Sequence, residues 1–224
     1  APPSPYTRKM LALLRYRQIP YRVIWGQPQE ILPGLGIDTP KPVLVPTFLL
    51  RDDNGNLSAV TDSTPIIRRL EAMSPERSVV PTDTALAFID YLLEDFGDEW
   101  VTKYMVHYRW YHEADAENGG TMLPLGYRVN LPPEQHEQRK AFFTDRQVGR
   151  LHVVGSNDTT APIIDASYRR FLQAMEAHLI TQPYLLGNRP GVGDFAIFGQ
   201  LTQLIGFDPT PRAIAHKLSS RAVA

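Results

Sequence analysis

Ser4-Pro5-Tyr6-Thr7-Arg8-Lys9, near the start of the chain, places a hydroxyl one residue ahead of a proline-initiated, basic helix. Proline suits the first helical position because the amide it lacks has no intrahelical partner there. Leu11, Leu14 and Tyr16, with Met10 and Leu13 beside them, give this helix, over about 5 to 17, its buried stripe. A hydroxyl at such a point can donate to an anion held over the free amides and the positive dipole end. If the anion is a thiolate, the arrangement ionises a thiol. A free thiol of pKa about 8.5 is only a few per cent ionised at neutral pH, and lowering that by about two units takes roughly 2.7 kcal/mol of thiolate stabilisation. One charge-assisted hydrogen bond plus a helix end has that size. The competing reading is a plain N-cap, worth about 1 kcal/mol of stability. Tyr6 is the alternative hydroxyl.

Any sulfur must come with the ligand, because the chain has no cysteine and so no disulfide, thiolate metal site or thiol nucleophile. The six histidines are scattered, and His107 and His112 lie five apart, which is not a one-face helical spacing, so no metal is expected. Lys plus Arg number 23 against 24 Asp plus Glu, without the basic excess that binding phosphate backbones requires, so no nucleic-acid partner is expected. No apolar run approaches the roughly 18 to 20 residues that cross a bilayer, and no signal pattern opens the chain. No membrane association is expected, and the expected location is cytoplasmic.

The elements that position these groups fall into two regions. In the first, Tyr21-Arg22-Val23-Ile24-Trp25 has strand composition, followed by a Pro- and Gly-rich loop from Gly26 to Pro42. Thr47-Phe48-Leu49-Leu50 and Leu57-Ser58-Ala59-Val60 flank Asp52-Asp53-Asn54-Gly55-Asn56, which reads as a hairpin. A second helix starts near Asp62-Ser63 and carries Ile66, Ile67 and Leu70 on one face. Residues 74–83, with two prolines and no helical period, read as a linker. The remainder reads as helical, over about 84–113, 133–155, 160–180, 191–206 and 210–221. The abrupt start on Ala1-Pro2-Pro3 and the close within a helix lead us to expect a preceding strand and a following tail in the natural protein.

An α/β module followed by a longer all-helical one, with serine at the first helix start, resembles the glutathione transferase superfamily. Four matches carry the resemblance. Ser4-Pro5-Tyr6 looks like the serine-type active-site segment, and Val45-Pro46 before a strand looks like the cis-proline segment. Asp62-Ser63 opening a helix looks like the acidic-Ser motif, and Tyr184-Leu185-Leu186-Gly187 with Pro190-Gly191-Val192-Gly193-Asp194-Phe195 resembles the entry to a buried C-terminal helix. Gly191 stands where that motif usually has Ser or Thr; it is a tolerated but weaker cap. Gly191-x-Gly193-x-x-Ala196 also satisfies a dinucleotide fingerprint, but that requires a βαβ unit and the surroundings are helical. Asp194 is better read as a carboxylate accepting backbone amides at a helix start.

The resemblance implies a thioredoxin-like, glutathione-binding domain over 1–73, a linker over 74–83 and an all-α domain over 84–224. It implies glutathione as co-substrate, with Ser4 (or Tyr6) acting on its thiol and Val45, ahead of a cis Pro46, pairing with its backbone. Asp62 and Ser63 would take the ammonium and carboxylate of its γ-glutamyl end, a role compatible with helix capping. Arg8 and Lys9 are candidates for the glycine carboxylate, although a solvated face is the simpler reading. Tyr104 and Tyr108, in the aromatic stretch from Trp100 to His112, would wall an acceptor pocket, against a reading as core packing. The implied reaction is attack of the thiolate on a small apolar electrophile by a homodimer, with no metal. A glutathione-dependent isomerase or lyase, and a non-catalytic binding or assembly module, are the alternatives.

Overall fold

The computed structural model describes residues 3–52, 54–126 and 128–224. Helix α1 (Pro5–Tyr16) begins as its sequence dictates, with Ser4 in extended geometry as N-cap and Met10, Leu13 and Leu14 buried. A short α2 (Pro28–Ile31) and a 3-10 turn (Pro33–Leu35) lie in the Pro-rich loop. Strands β1 (Phe48–Arg51) and β2 (Leu57–Val60) pair antiparallel, Phe48 opposite Val60 and Arg51 opposite Leu57. Asp52 closes their turn by accepting from the amides of Asn54 and Asn56 at 2.9 and 2.8 Å. Asp53 of that turn, like Ala1 and Pro2, lies outside the described residues. Helix α3 (Ser63–Met73) then buries Ile66, Ile67 and Leu70 against α1.

The strand expected at Tyr21–Trp25 does not form. A strand exists only as part of a ladder, and the sheet among the described residues has two members, β1 and β2. Tyr21, Val23, Ile24 and Trp25 are exposed, so their β propensity finds neither a ladder nor a packed face.

The helical region comprises α4 (Thr84–Asp95), a π-helical turn (Phe96–Val101), α5 (Thr102–Tyr111), α6 (Glu113–Leu125), α7 (Pro133–Val148), α8 (Ala161–His178), α9 (Val192–Leu204), α10 (Pro209–Leu218) and a short α11 (Ser220–Val223). The single helix expected over 84–113 is thus interrupted by the π turn. The segment expected as one helix over 133–155 ends at Val148, before a 3-10 turn at Leu151–Val154. Helix α6 lies where no helix is expected from sequence, and Gly119, Gly120 and Pro124 lower its intrinsic propensity. Packing overrides that weakness: a Cβ on Gly120 would lie 2.3 Å from the Thr144 hydroxyl of α7, so the contact needs glycine.

Two apolar clusters meet on α9. Val192 and Phe195 join α1 and α3 in one; Ile197, Leu201 and Leu204 join α5, α8 and α10 in the other. The N-terminus of α9 is closed by two carboxylates. Asp194 accepts from the amides of Leu185 and Gly191, both at 2.9 Å, as its sequence context indicated. Asp90 of α4 accepts from the next two amides, Val192 and Gly193, again at 2.9 Å. A Cβ on Gly191 would lie 2.3 Å from Asp90 Oδ1. The glycines that imitate a dinucleotide fingerprint therefore admit a protein carboxylate. Burial raises the pKa of both acids, against the amides that favour their charged forms. Replacing Asp90 with alanine would strand two buried amides; Asp90→Ala is expected to lose about 2–4 kcal/mol in urea denaturation.

Candidate functional site

Ser4 is nearly buried, and its hydroxyl accepts from the Thr7 amide at 3.3 Å, the N-cap bond. Its own proton faces the Val45 carbonyl at 3.5 Å, the weak limit of hydrogen bonding, so the hydroxyl can turn toward a better acceptor. The fold thus brings Ser4 and Val45 together across 41 positions. The Val45–Pro46 bond is cis, and so is Lys41–Pro42, which the sequence did not single out. The Val45 residue itself is exposed.

Asp62 adopts a positive φ of 75° and caps α3, its carboxylate accepting from the Thr64 amide at 3.2 Å while the residue stays exposed. Ser63 is buried, and its hydroxyl accepts from Lys9 Nζ at 3.0 Å. Lys9 corrects the solvated-face reading, since only 1% of it is exposed. Its ammonium spends three donors on three partners: Ser63, Glu94 Oε1 at 2.9 Å and Asp98 Oδ2 at 2.6 Å. Glu94 Oε1 also accepts from the Thr64 hydroxyl at 2.9 Å. Burial raises the Asp98 carboxyl to about 6 although Lys9 pulls it down. These contacts tie the first turn of α3 to α1 and α4. Neither Glu94 nor Asp98 is singled out from sequence. Arg8 is exposed.

Tyr6 does not share the Ser4 environment. Its hydroxyl donates to the Asp98 carbonyl in the π turn at 2.8 Å, and burial pushes its pKa up to about 12, with the Thr102 hydrogen bond opposing. A hydroxyl so committed is a poor partner for a thiolate.

Tyr104 and Tyr108 are placed in the core, not on an open pocket. The Tyr104 hydroxyl pairs with that of Ser167 at 2.8 Å, and Tyr108 donates to Asp165 at 2.6 Å, so both bind α5 to α8. Burial, then the Asp165 hydrogen bond, pushes the Tyr108 hydroxyl well above its ordinary pKa. An open cleft of about 760 Å³ does exist, along α1 and α9, lined by Arg8, Tyr16, Leu179, Tyr184, Phe195 and Phe198 among others. Ser4, Val45, Asp62, Ser63, Tyr104 and Tyr108 are not among its walls. His107, beside Tyr108, is buried with Nδ1 2.7 Å from the Ser156 hydroxyl. Burial, followed by His112, lowers its pKa to about 4, with Asp165 opposing. Among the described residues, no group of three or more His, Asp or Glu side chains is placed to hold a metal ion.

The segment carrying Ser4 has a further anchor. Arg109 of α5 is buried, donates from Nη1 to the Pro3 carbonyl at 3.2 Å, and grips Asp208 through Nε and Nη2 at 2.8 and 2.9 Å. Gln203 accepts from Nη2 at 3.0 Å. Burial raises Asp208 to about 6, against the pull of Arg109. The sequence carries no signal for this cluster, because its members lie 94 and 99 positions from Arg109.

Residues 1–78 match the family model for the glutathione S-transferase N-terminal domain, and residues 134–220 match that for the glutathione S-transferase C-terminal domain. The chain belongs to the glutathione transferase superfamily. Among solved structures, a glutathione transferase from Burkholderia graminis with two glutathione molecules bound per subunit has a TM-score of 0.57 at 17% identity, covering 99% of this chain and 77% of that one. FzlA from C. crescentus has a TM-score of 0.54 at 17% identity, covering 99% and 86% of the two chains. A glutathione S-transferase from Rhodospirillum rubrum has 0.53 at 17%, covering 100% and 87%. At that identity the likeness is one of fold. No curated protein matches the chain. No helix among the described residues is long and apolar enough to cross a membrane.

Two measurements check this electrostatic picture. Arg109→Met should cost about 3–5 kcal/mol in chemical denaturation by stranding Asp208, and Arg109→Met with Asp208→Leu should recover most of it. His107 should stay neutral until about pH 4, visible in its imidazole nitrogen shifts. Because its folded pKa is depressed, its contribution to stability is full above about pH 6.5 and is lost as pH falls through about 4. His107→Gln should remove that part of the acid sensitivity.

Proposed function

We propose that this chain binds glutathione at the N-terminal end of α1 and ionises its thiol with the Ser4 hydroxyl, for attack on a small apolar electrophile. The observation that carries the reading is the hydrogen-bonded approach of Ser4 to Val45 beside a cis proline, at the mouth of a helix whose buried stripe fixes its direction. The cap bond from Thr7 fixes the serine oxygen while, among the described residues, its proton faces the distant Val45 carbonyl. A thiolate above the helix end would accept that proton and feel the α1 dipole, and both effects act on the ionised form alone. In this reading Val45 offers its backbone to the extended tripeptide. Exposed Asp62 receives the ammonium of the γ-glutamyl end, and Ser63 donates to its carboxylate.

The domain assignment follows the same reading: residues 1–73 hold glutathione, 74–83 link, and the all-α region over 84–224 positions the acceptor. We place a homodimer interface on α4. Leu86, Phe88, Ile89, Tyr91 and Leu92 are all exposed there, while the buried residues of that helix are Asp90 and Glu94. A surface this apolar is the kind that another subunit covers.

Calorimetry with glutathione, beside thiolate absorbance from about pH 6 to about 9, tests the site. Ser4→Ala should still bind while the bound thiol pKa rises by about two units. Ser63→Ala should weaken binding by about tenfold. Absence of wild-type binding at millimolar glutathione would sink the enzyme reading and leave a partner-binding module as the leading one.

A further inference from the structure

The Lys9 cluster contains more than an interior ion pair. Two carboxylates would satisfy a buried ammonium electrostatically, yet the third Lys9 donor goes to a neutral hydroxyl, that of Ser63, at 3.0 Å. A serine hydroxyl has one proton and two lone pairs. With one lone pair held by an ammonium, its proton must point away from the cation, and the accepted bond polarises the O–H into a stronger donor. The neighbouring Thr64 hydroxyl is held as well, donating to Glu94 Oε1 at 2.9 Å, so the first turn of α3 has both hydroxyl rotors fixed from behind. Lys9 itself is 1% exposed and does not reach a ligand directly.

We infer that Lys9 is a positioning residue for recognition of the γ-glutamyl carboxylate, acting by locking the Ser63 hydroxyl as an outward donor. This rests on the glutathione reading above and assigns a role within it. The alignment removes a rotational choice that Ser63 would otherwise resolve on binding. The charge behind the hydroxyl strengthens its bond to an anion without contact between ammonium and ligand.

A double-mutant cycle on the full chain, read as the Kd for glutathione by calorimetry, tests this. Lys9→Met and Ser63→Ala should each weaken binding by about tenfold, and the double variant should be no more than about twofold weaker than Ser63→Ala. Additive losses would overturn the inference, as would an unchanged Kd in Lys9→Met. A Lys9→Met loss far exceeding that of Ser63→Ala would overturn it too, because it would signal collapse of the α3 start. Lys9→Met strands two buried carboxylates, so the cycle is repeated on the charge-free background Lys9→Met, Glu94→Met, Asp98→Leu if the single variant does not fold. There, addition of Ser63→Ala should again change Kd by less than about twofold. Failure of the unmutated chain to bind glutathione would instead overturn the underlying reading, and is distinguished by needing no variant.

Discussion

The N-terminus of α9 is the point on which the molecule is built. Helix α9 is shared by both apolar clusters, so it cannot satisfy its first amides with water. Asp194 supplies acceptors from within its own turn and Asp90 supplies them from α4. That pairing fixes where α4 crosses α9. Once α4 is fixed, Glu94, one helical turn beyond Asp90, and Asp98 in the π turn stand where Lys9 of α1 meets them. Helix α1 is then held at its start by Arg109 on the Pro3 carbonyl, by Tyr6 on the Asp98 carbonyl and by the Lys9 ammonium, among other contacts. The hydroxyl of Ser4 inherits its position from these contacts.

This chain of dependence runs mostly through residues that sequence reading passes over. Pro5 at the first helical position and Asp62 ahead of Ser63 are local signals, and both mark helix starts in the structure. Asp194 could be read as an amide acceptor because its partners lie within nine positions. Asp90, Glu94 and Asp98 act on partners between 26 and 103 positions away, so nothing near them in sequence distinguishes an interior acid from a solvated one. The same distance hid Arg109. Tyr104 and Tyr108 are ambiguous in sequence for a related reason: an aromatic stripe at helical spacing looks the same whether it faces a cavity or a neighbouring helix.

Two of the differences in secondary structure have opposite physical origins. Tyr21–Trp25 has the composition of a strand without a ladder to join, so local preference alone does not organise it. Helix α6 has poor local preference and forms because Gly120 lets α7 approach and Gly119 lets α5 approach. In both places the decisive quantity is whether another backbone arrives, and one sequence segment does not contain that information.

Helix α4 inverts the customary distribution of polarity. It buries two acids and leaves Leu86, Phe88, Ile89, Tyr91 and Leu92 toward the outside. The usual map from residue type to mutational tolerance is therefore reversed along it. Exchanging the half-exposed Leu92 for a charged residue leaves the charge in reach of solvent, whereas losing a carboxylate at position 90 or 94 breaks the junction of α9 or of α3. Sequence drift along this helix is constrained at its charges and free at its hydrocarbons, unless a second surface reclaims them.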